Sequence, residues 1–346
     1  MIPVTVITGF LGSGKTTLIS RLLQSPDLAD TAVIVNEFGE TDLDHTLIAA
    51  SSENILQLMN GCICCTIRED LALELRNLFH LRTLGDVPRF NRVLIETTGL
   101  ADPVPIVHTL MANSELRKAY RMQAVVTLVD ALAGERTLAD QDVSRRQVAL
   151  ADELLIAKTD LADEQALASL REVLADINPS ANVQVARDLS VADLLPTLSS
   201  DNHYPLKGRS DDIEQWLGAG QGDGHSSDHA SASASASASG HGTGHGSGIL
   251  TFTLYPEQAF RLADLILFFQ ELVNYQPDKL LRVKALVAVE GKLGTPAVVH
   301  CIRDKVYPLI WLDNWPGGEA QNQLVFITDG IVQSEIETIL KTVCSN

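Results

Sequence analysis

Residues Gly9 to Thr16 read Gly-Phe-Leu-Gly-Ser-Gly-Lys-Thr. They follow the apolar run Val4 to Ile7 and precede Thr17-Leu18-Ile19-Ser20-Arg21-Leu22-Leu23, which has helical spacing. The pattern G-x-x-x-x-G-K-[ST] between a strand and a helix is the signature of a phosphate-binding loop. It constrains the fold more than any other feature of the chain. Glycines let the backbone curl until its N–H groups face the β- and γ-phosphates, while the helix behind offers its positive end to the anion. Lys15 is expected to reach the terminal phosphates and the Thr16 hydroxyl to sit on Mg²⁺, with Gly9, Gly12, Ser13, Gly14 and Thr17 completing the cradle.

Up to about residue 200, short apolar runs alternate with helical patterns: Val4 to Ile7, Ala32 to Val35, Val93 to Ile95, Val125 to Val129, Leu154 to Ile156 and Val183 to Val185. This alternation predicts an α/β fold, a P-loop NTPase with a mainly parallel sheet flanked by helices. Asp130, Asp160 and Glu96 fall at or just after strand ends, the edge where open α/β sheets bind ligands. From Asn202 to Gly248 the chain turns to Gly, Ser, Asp and His, including a Ser-Ala run to Gly240, and reads as a flexible linker with one anchoring turn around Ile213, Trp216 and Leu217. Beyond it, strands are expected at Ile249–Leu254, Val283–Val289, Ala297–Ile302 and Leu324–Ile327, with helices at Pro256–Val273 and Gln333–Thr342. The expected organisation is a P-loop GTPase domain (1–201), a His/Ser/Gly-rich linker (202–248) and a smaller α+β C-terminal domain (249–346).

Charge narrows the partners. Against 26 Lys and Arg stand 44 Asp and Glu, a net charge of −18. Such a chain repels phosphate backbones and has no polybasic stripe for anionic lipid, so nucleic acid and membrane are excluded as partners. No apolar stretch of about 18 residues and no leader pattern are visible, so a cytoplasmic location is expected. A homo-oligomer stays open. Of 5 cysteines, three crowd at Cys62, Cys64 and Cys65. An odd number in a reducing compartment argues against a disulfide framework and for metal or redox chemistry.

Val93-Leu94-Ile95-Glu96-Thr97-Thr98-Gly99 is an apolar strand ending in an acid, with a glycine three residues on. After a P-loop, that acid helps hold Mg²⁺ and the glycine N–H senses the γ-phosphate. Leu154 to Ala157 runs into Lys158-Thr159-Asp160. A carboxylate there accepts from both N1 and N2 of guanine, whereas adenine presents no such pair of donors, so the reading is GTP. Ala157 stands where the usual guanine motif has Asn.

Three thiols in Gly61-Cys62-Ile63-Cys64-Cys65 suit a thiophilic ion and leave a fourth position for a carboxylate, water or a partner's ligand. In Asn36-Glu37-Phe38-Gly39-Glu40, either acid can supply that oxygen or face Mg²⁺ or the hydrolytic water. Glu37 is grouped with Lys15, Thr16 and Glu96 as catalytic, and Glu40 with the cysteines. His225, His229, His241 and His245 in the linker read equally as loose metal ligands or as a polar tract. Cys301, Cys344 and His300 read as packing residues.

Together these motifs resemble the CobW-type metal-chaperone GTPases: the P-loop, Asn-Glu-Phe-Gly-Glu at 36–40, Gly-Cys-Ile-Cys-Cys at 61–65 and Glu-Thr-Thr-Gly-Leu-Ala-Asp-Pro at 96–103. Asp278-Lys279-Leu280-Leu281-Arg282-Val283-Lys284 and Leu324-Val325-Phe326-Ile327 look like that family's C-terminal domain. The departures are Ala157, and Thr97-Thr98 where many relatives have a serine before the glycine. The resemblance implies a slow GTPase that binds Zn²⁺, Co²⁺ or another divalent transition metal at Cys62, Cys64 and Cys65. It would deliver the metal to a client metalloprotein or a cofactor-biosynthesis enzyme. The alternative is a GTP-regulated zinc buffer using the cysteines and the linker histidines, and a P-loop kinase is a third class, disfavoured because no Arg-rich lid is apparent.

Overall fold

A computed structural model of the chain describes residues 1–35, 67–187, 193–194, 197–198, 248–316 and 320–344. Glu37, Glu40, Cys62, Cys64 and Cys65, the linker histidines and the turn around Trp216 lie outside the described residues.

Six strands form the first sheet: β1 (Ile2–Gly9), β2 (Thr31–Val35), β3 (Arg92–Glu96), β4 (Tyr120–Asp130), β5 (Glu153–Ala157) and β6 (Asn182–Val185). Their order is β2-β3-β1-β4-β5-β6, and every pairing is parallel. Both faces are covered by helices, so the strands read as near-continuous apolar runs, as the sequence shows. One face of β1 and β3 carries Val4, Val6, Val93 and Ile95 against helices α2 (Ile67–Leu84) and α3 (Val104–Ala112). The opposite face carries Ile7, Leu94, Val126 and Leu128 against α1 (Lys15–Leu23). Beyond α3 and the short α4 (Leu116–Ala119), the chain adds α5 (Gly134–Asp140), α6 (Asp142–Leu150) and α7 (Glu164–Ile177). With β1 central, its C-terminal end sits mid-edge, and the loop after it is flanked by the ends of β3 and β4.

The second sheet is antiparallel: β7 (Ile249–Leu254), β8 (Leu280–Val287), β9 (Ala297–Ile302), β10 (Lys305–Val306), β11 (Ile310–Trp311) and β12 (Gln323–Asp329). The order is β10-β9-β8-β12-β7, with β11 also on β9. Helices α8 (Leu262–Tyr275) and α9 (Gln333–Cys344) cover one face, packing on Val283, Ala285, Val287 and Phe326. The expected helix over Pro256–Val273 therefore starts six residues late. Asn322 Nδ2 donates to the Pro256 and Gln258 carbonyls at 2.7 and 2.9 Å, and buried Phe260 bridges to Val289, so this stretch is held outside the helix.

The other face of the second sheet packs on the first domain. Alternation along β8 turns Arg282 and Lys284 away from Val283 and Ala285, and both are fully buried where they meet that domain. Arg282 pairs with Asp152 and donates to the Leu150 and Ala151 carbonyls, while Lys284 Nζ donates to Ser180 O at 3.0 Å. Leu281 and Ile327 join the same core as Leu170 and Leu174 of α7. The His300 ring lies tilted by 38° against that of Tyr307, with centroids 3.6 Å apart, within this buried charged region, a richer setting than plain packing; Cys301 is buried, whereas Cys344 is exposed. Burial and the nearby Arg282 guanidinium both depress the His300 pKa, keeping the imidazole neutral. No helix among the described residues is long and apolar enough to cross a membrane.

Candidate nucleotide site

The loop after β1 is shaped by backbone that only glycine adopts without strain. Gly9 has φ +139°, and a Cβ there would lie 2.4 Å from Leu128 O and 2.7 Å from Ser13 Oγ. Gly12 and Gly14 have φ of +73° and +98°, in the left-handed region. Gly14 caps α1, whose first turn contains no acidic residue, so the positive helix end is left for an anion. Ser13 N donates to Phe10 O at 3.1 Å, and the buried Ser13 Oγ makes no hydrogen bond among the described residues.

Lys15 is buried, its Nζ donating to Gly9 O at 2.9 Å and Phe10 O at 3.1 Å, which folds the ammonium over the loop's own carbonyls. Thr16 Oγ1 donates to Glu96 Oε1 at 2.7 Å, across 80 residues of sequence. Glu96 ends β3, beside β1, and is itself buried. A hydroxyl and a buried carboxylate in contact are a fitting hard-oxygen pair for Mg²⁺. Thr17 is exposed on the first turn of α1.

Gly99 lies hard against the phosphate loop: a Cβ there would meet Leu11 N at 2.6 Å and Leu11 Cα at 2.7 Å. Two threonines brace the approach, with Thr97 N donating to Ile7 O at 3.0 Å and Thr97 Oγ1 to Thr8 Oγ1 at 2.8 Å. Asp102 then accepts from Val104 N at 2.9 Å and starts α3. Buried Gln147 of α6 donates from Nε2 to Gly99 O at 3.3 Å and Ala101 O at 3.0 Å. Sequence reasoning missed Gln147; its only signal was a long amide among the apolar positions of a short helix.

Past β5, Ala157 comes within 3.9 Å of where a Gly14 Cβ would be, so this strand end touches the phosphate loop. Lys158 has φ +59° and pairs with Asp130 at 2.6 Å. Burial pushes the Asp130 carboxyl up, but hydrogen bonds from Lys158, Ala133 N and Leu132 N outweigh it, and its pKa falls below the ordinary value. Asp160 is exposed in the 3₁₀ turn Thr159–Leu161 that follows. The structure thus gathers Lys15, Thr16, Glu96 and Gly99 around one loop, and sets Lys158 and Asp160 on the adjoining β5 end. Among the described residues no group of three or more His, Cys, Asp or Glu side chains has metal-site spacing.

Residues 3–185 match the CobW/HypB/UreG nucleotide-binding domain, and residues 249–344 match the cobalamin synthesis protein cobW C-terminal domain. By sequence, the chain is 41% identical over 182 residues to zinc chaperone YjiA of Escherichia coli strain K12, covering 53% of this chain and 56% of that protein. It is 34% identical over 241 residues to zinc chaperone CobW of Pseudomonas aeruginosa, covering 60% and 63%. It is also 34% identical over 189 residues to zinc-regulated GTPase metalloprotein activator 1 of Schizosaccharomyces pombe, covering 53% and 45%. The chain thus spans about half the length of the relatives it matches. The crystal structure of Zn(II)-bound YjiA GTPase from E. coli superposes with a TM-score of 0.68 at 24% identity, over 99% of this chain and 98% of that one, and so shares its fold.

Proposed function

Starting from the premise that this chain belongs to the CobW family of P-loop proteins, we propose that it is a slow GTPase whose nucleotide state gates zinc binding and transfer to a client metalloprotein or cofactor-biosynthesis enzyme. The observation that best supports the reading is the Thr16 hydroxyl on the buried Glu96 carboxylate at 2.7 Å, beside a glycine loop with an uncompensated helix end. The relatives' names, zinc chaperone and zinc-regulated GTPase metalloprotein activator, agree with it.

In this reading residues 1–201 are the GTPase domain, 202–248 a linker and 249–346 the C-terminal domain. The loop amides of Gly12, Ser13, Gly14 and Lys15, with Thr17 and the Lys15 ammonium, hold the phosphates. Thr16 and Glu96 would hold Mg²⁺, which when bound would supply positive charge to neutralise the phosphates. Gly99 N–H faces the γ-phosphate. The Lys158 stem and the Asp160 carboxylate read the base, and exposed Asp160 is free to accept from both guanine donors. Glu37 belongs with Lys15, Thr16 and Glu96 to the catalytic set, and Cys62, Cys64 and Cys65 with Glu40 hold the zinc cargo. A γ-phosphate that orders one arrangement of the Glu37 and cysteine segments couples the two sites, and hydrolysis relaxes it. Zinc must then change GTP affinity by the factor that GTP changes zinc affinity.

The test is a zinc titration against a competing chelator, in GDP and in a non-hydrolysable GTP analogue, with the Cys62→Ser/Cys64→Ser/Cys65→Ser variant alongside. The analogue is expected to tighten zinc binding at least about tenfold, and the variant to lose this. Equal zinc affinity in every nucleotide state overturns GTP gating. Several further ions lost on deletion of 221–247 make the protein a buffer instead.

A further inference from the structure

Helix α6 lies between the nucleotide edge and the second sheet and is bonded to both. On the nucleotide side, Gln147 alone spans to Gly99 O and Ala101 O, and Gly99 in turn is pressed on Leu11 of the phosphate loop. The backbone of Gln147 is itself fixed, its main-chain carbonyl accepting from Thr127 Oγ1 at 2.9 Å. Toward the C-terminal domain, Arg146 Nη2 pairs with Asp329 Oδ2 at 2.9 Å, and Arg282 donates to the Leu150 and Ala151 carbonyls at the end of the helix. Adjacent residues of one nine-residue helix therefore grip the Gly99 segment and the end of β12.

We propose that Gln147 is a positioning residue for the Gly99 segment, and that through α6 it ties the state of that segment to the C-terminal domain. The argument is steric and polar. Gly99 cannot move toward the loop, because Leu11 backbone already fills the place of a Cβ. Movement of Gly99 or Ala101 must therefore distort the Gln147 amide hydrogen bonds or carry α6 along. A buried amide that loses its partners is costly, so carrying the helix is the cheaper response. Any such displacement of α6 reaches Asp329 through Arg146 and β8 through Arg282. A rigid element bonded to both sites can carry such coupling if it has two arrangements that both sites bias, and the amide exchange below reads whether it does.

This inference rests on Gly99 reading the γ-phosphate, as proposed above. The experiment uses the full chain with Mg²⁺, mant-GDP and mant-GMPPNP, comparing wild type with Gln147→Met, which keeps length and removes the donors. The variant is expected to bind mant-GMPPNP at least tenfold more weakly, with mant-GDP affinity within twofold and a melting temperature lowered by the donor the Gly99 and Ala101 carbonyls lose, a loss common to both nucleotide states. In wild type, amide exchange in β8 and β12 should differ between the two nucleotides, and Gln147→Met should erase that difference. If Gln147→Met does not fold, Gln147→Asn keeps the amide on a shorter stem and is expected to show the same selective loss. Analogue affinity within twofold of wild type in a folded variant overturns the role of Gln147 while leaving the nucleotide site standing. Failure of the wild type to bind mant-GDP overturns the nucleotide site and this inference with it.

Discussion

Glu153, at the start of β5, is a carboxylate with little access to water, 4% exposed. Burial, reinforced by the neighbouring Asp152 charge, pushes its pKa up to about 7, against hydrogen bonds from Asn182, Gln184 and Thr197 that pull it down. An acid whose pKa is higher folded than unfolded holds a proton in the native state that the unfolded chain has released. Its contribution to stability is therefore full below pH 4.5, declines as pH rises toward 7 and is lost above that. Glu153→Gln removes this dependence: urea melts should show the variant more stable than wild type by about 3 kcal/mol at pH 8, the gap closing at pH 4.5. Side chains differ in how far sequence reveals them. Lys15, Thr16 and Glu96 were legible because phosphate chemistry demands those groups at the ends of adjacent strands. Gln147 was not, since its partners are backbone carbonyls, which carry no residue identity. Cys62, Cys64, Cys65, Glu37 and Glu40 were singled out by motif, by position after a strand and by resemblance; they lie outside the described residues and remain proposals.

Helix α6 ends without glycine, and its last carbonyls are satisfied from elsewhere. Asn178 Nδ2 donates to Val148 O, Ala149 O and Ala151 O at 2.8, 3.2 and 2.9 Å, and Asn178 is fully buried. Asn178→Ala should destabilise the protein by about 1–3 kcal/mol, because the carbonyls lose a buried donor. Asn178→Asp should cost more, since a carboxylate would face three carbonyl oxygens at the negative end of a helix. Chemical melts at neutral pH read both, and an aspartate variant as stable as the alanine one would refute this view of the cap. The parallel strands were legible for a simple reason: a sheet covered on both faces spells itself as apolar runs. Helix α8 was legible only in part. Pro256 and the apolar spacing after it mark a helix start, but the Asn322 amide that holds this stretch outside the helix comes from 66 residues away. Tertiary bonds of that kind override local signals.

The two domains meet through charge as well as apolar contact. In Arg282–Asp152 the side chains are 1% and 2% exposed, and the carboxylate also accepts from Val125 N at 2.9 Å. Removing one member strands the other, so Arg282→Met should cost about 3–5 kcal/mol. The double variant with Asp152→Asn should lose less than the two singles together, by about 0.5–3 kcal/mol, when unfolding is followed by denaturant. Simple additivity would show that the pair is not coupled. Alternation along β8 marks a strand with one polar face, and polarity ordinarily means water. Only the presence of the other domain buries that face, and no local pattern announces it. The order of the first sheet has a further consequence, one of timing. β1 lies between β3 and β4, and β2 pairs with β3 rather than with β1. Some 80 residues separate β1 from β3, and at about 5–20 residues per second synthesis of that stretch takes roughly 4 to 16 s. Through that interval the growing chain carries Val4, Val6 and Ile7 with no sheet neighbour, although the finished protein buries them completely. The strand that sets the phosphate loop at mid-edge is thus the one left longest uncovered at the ribosome.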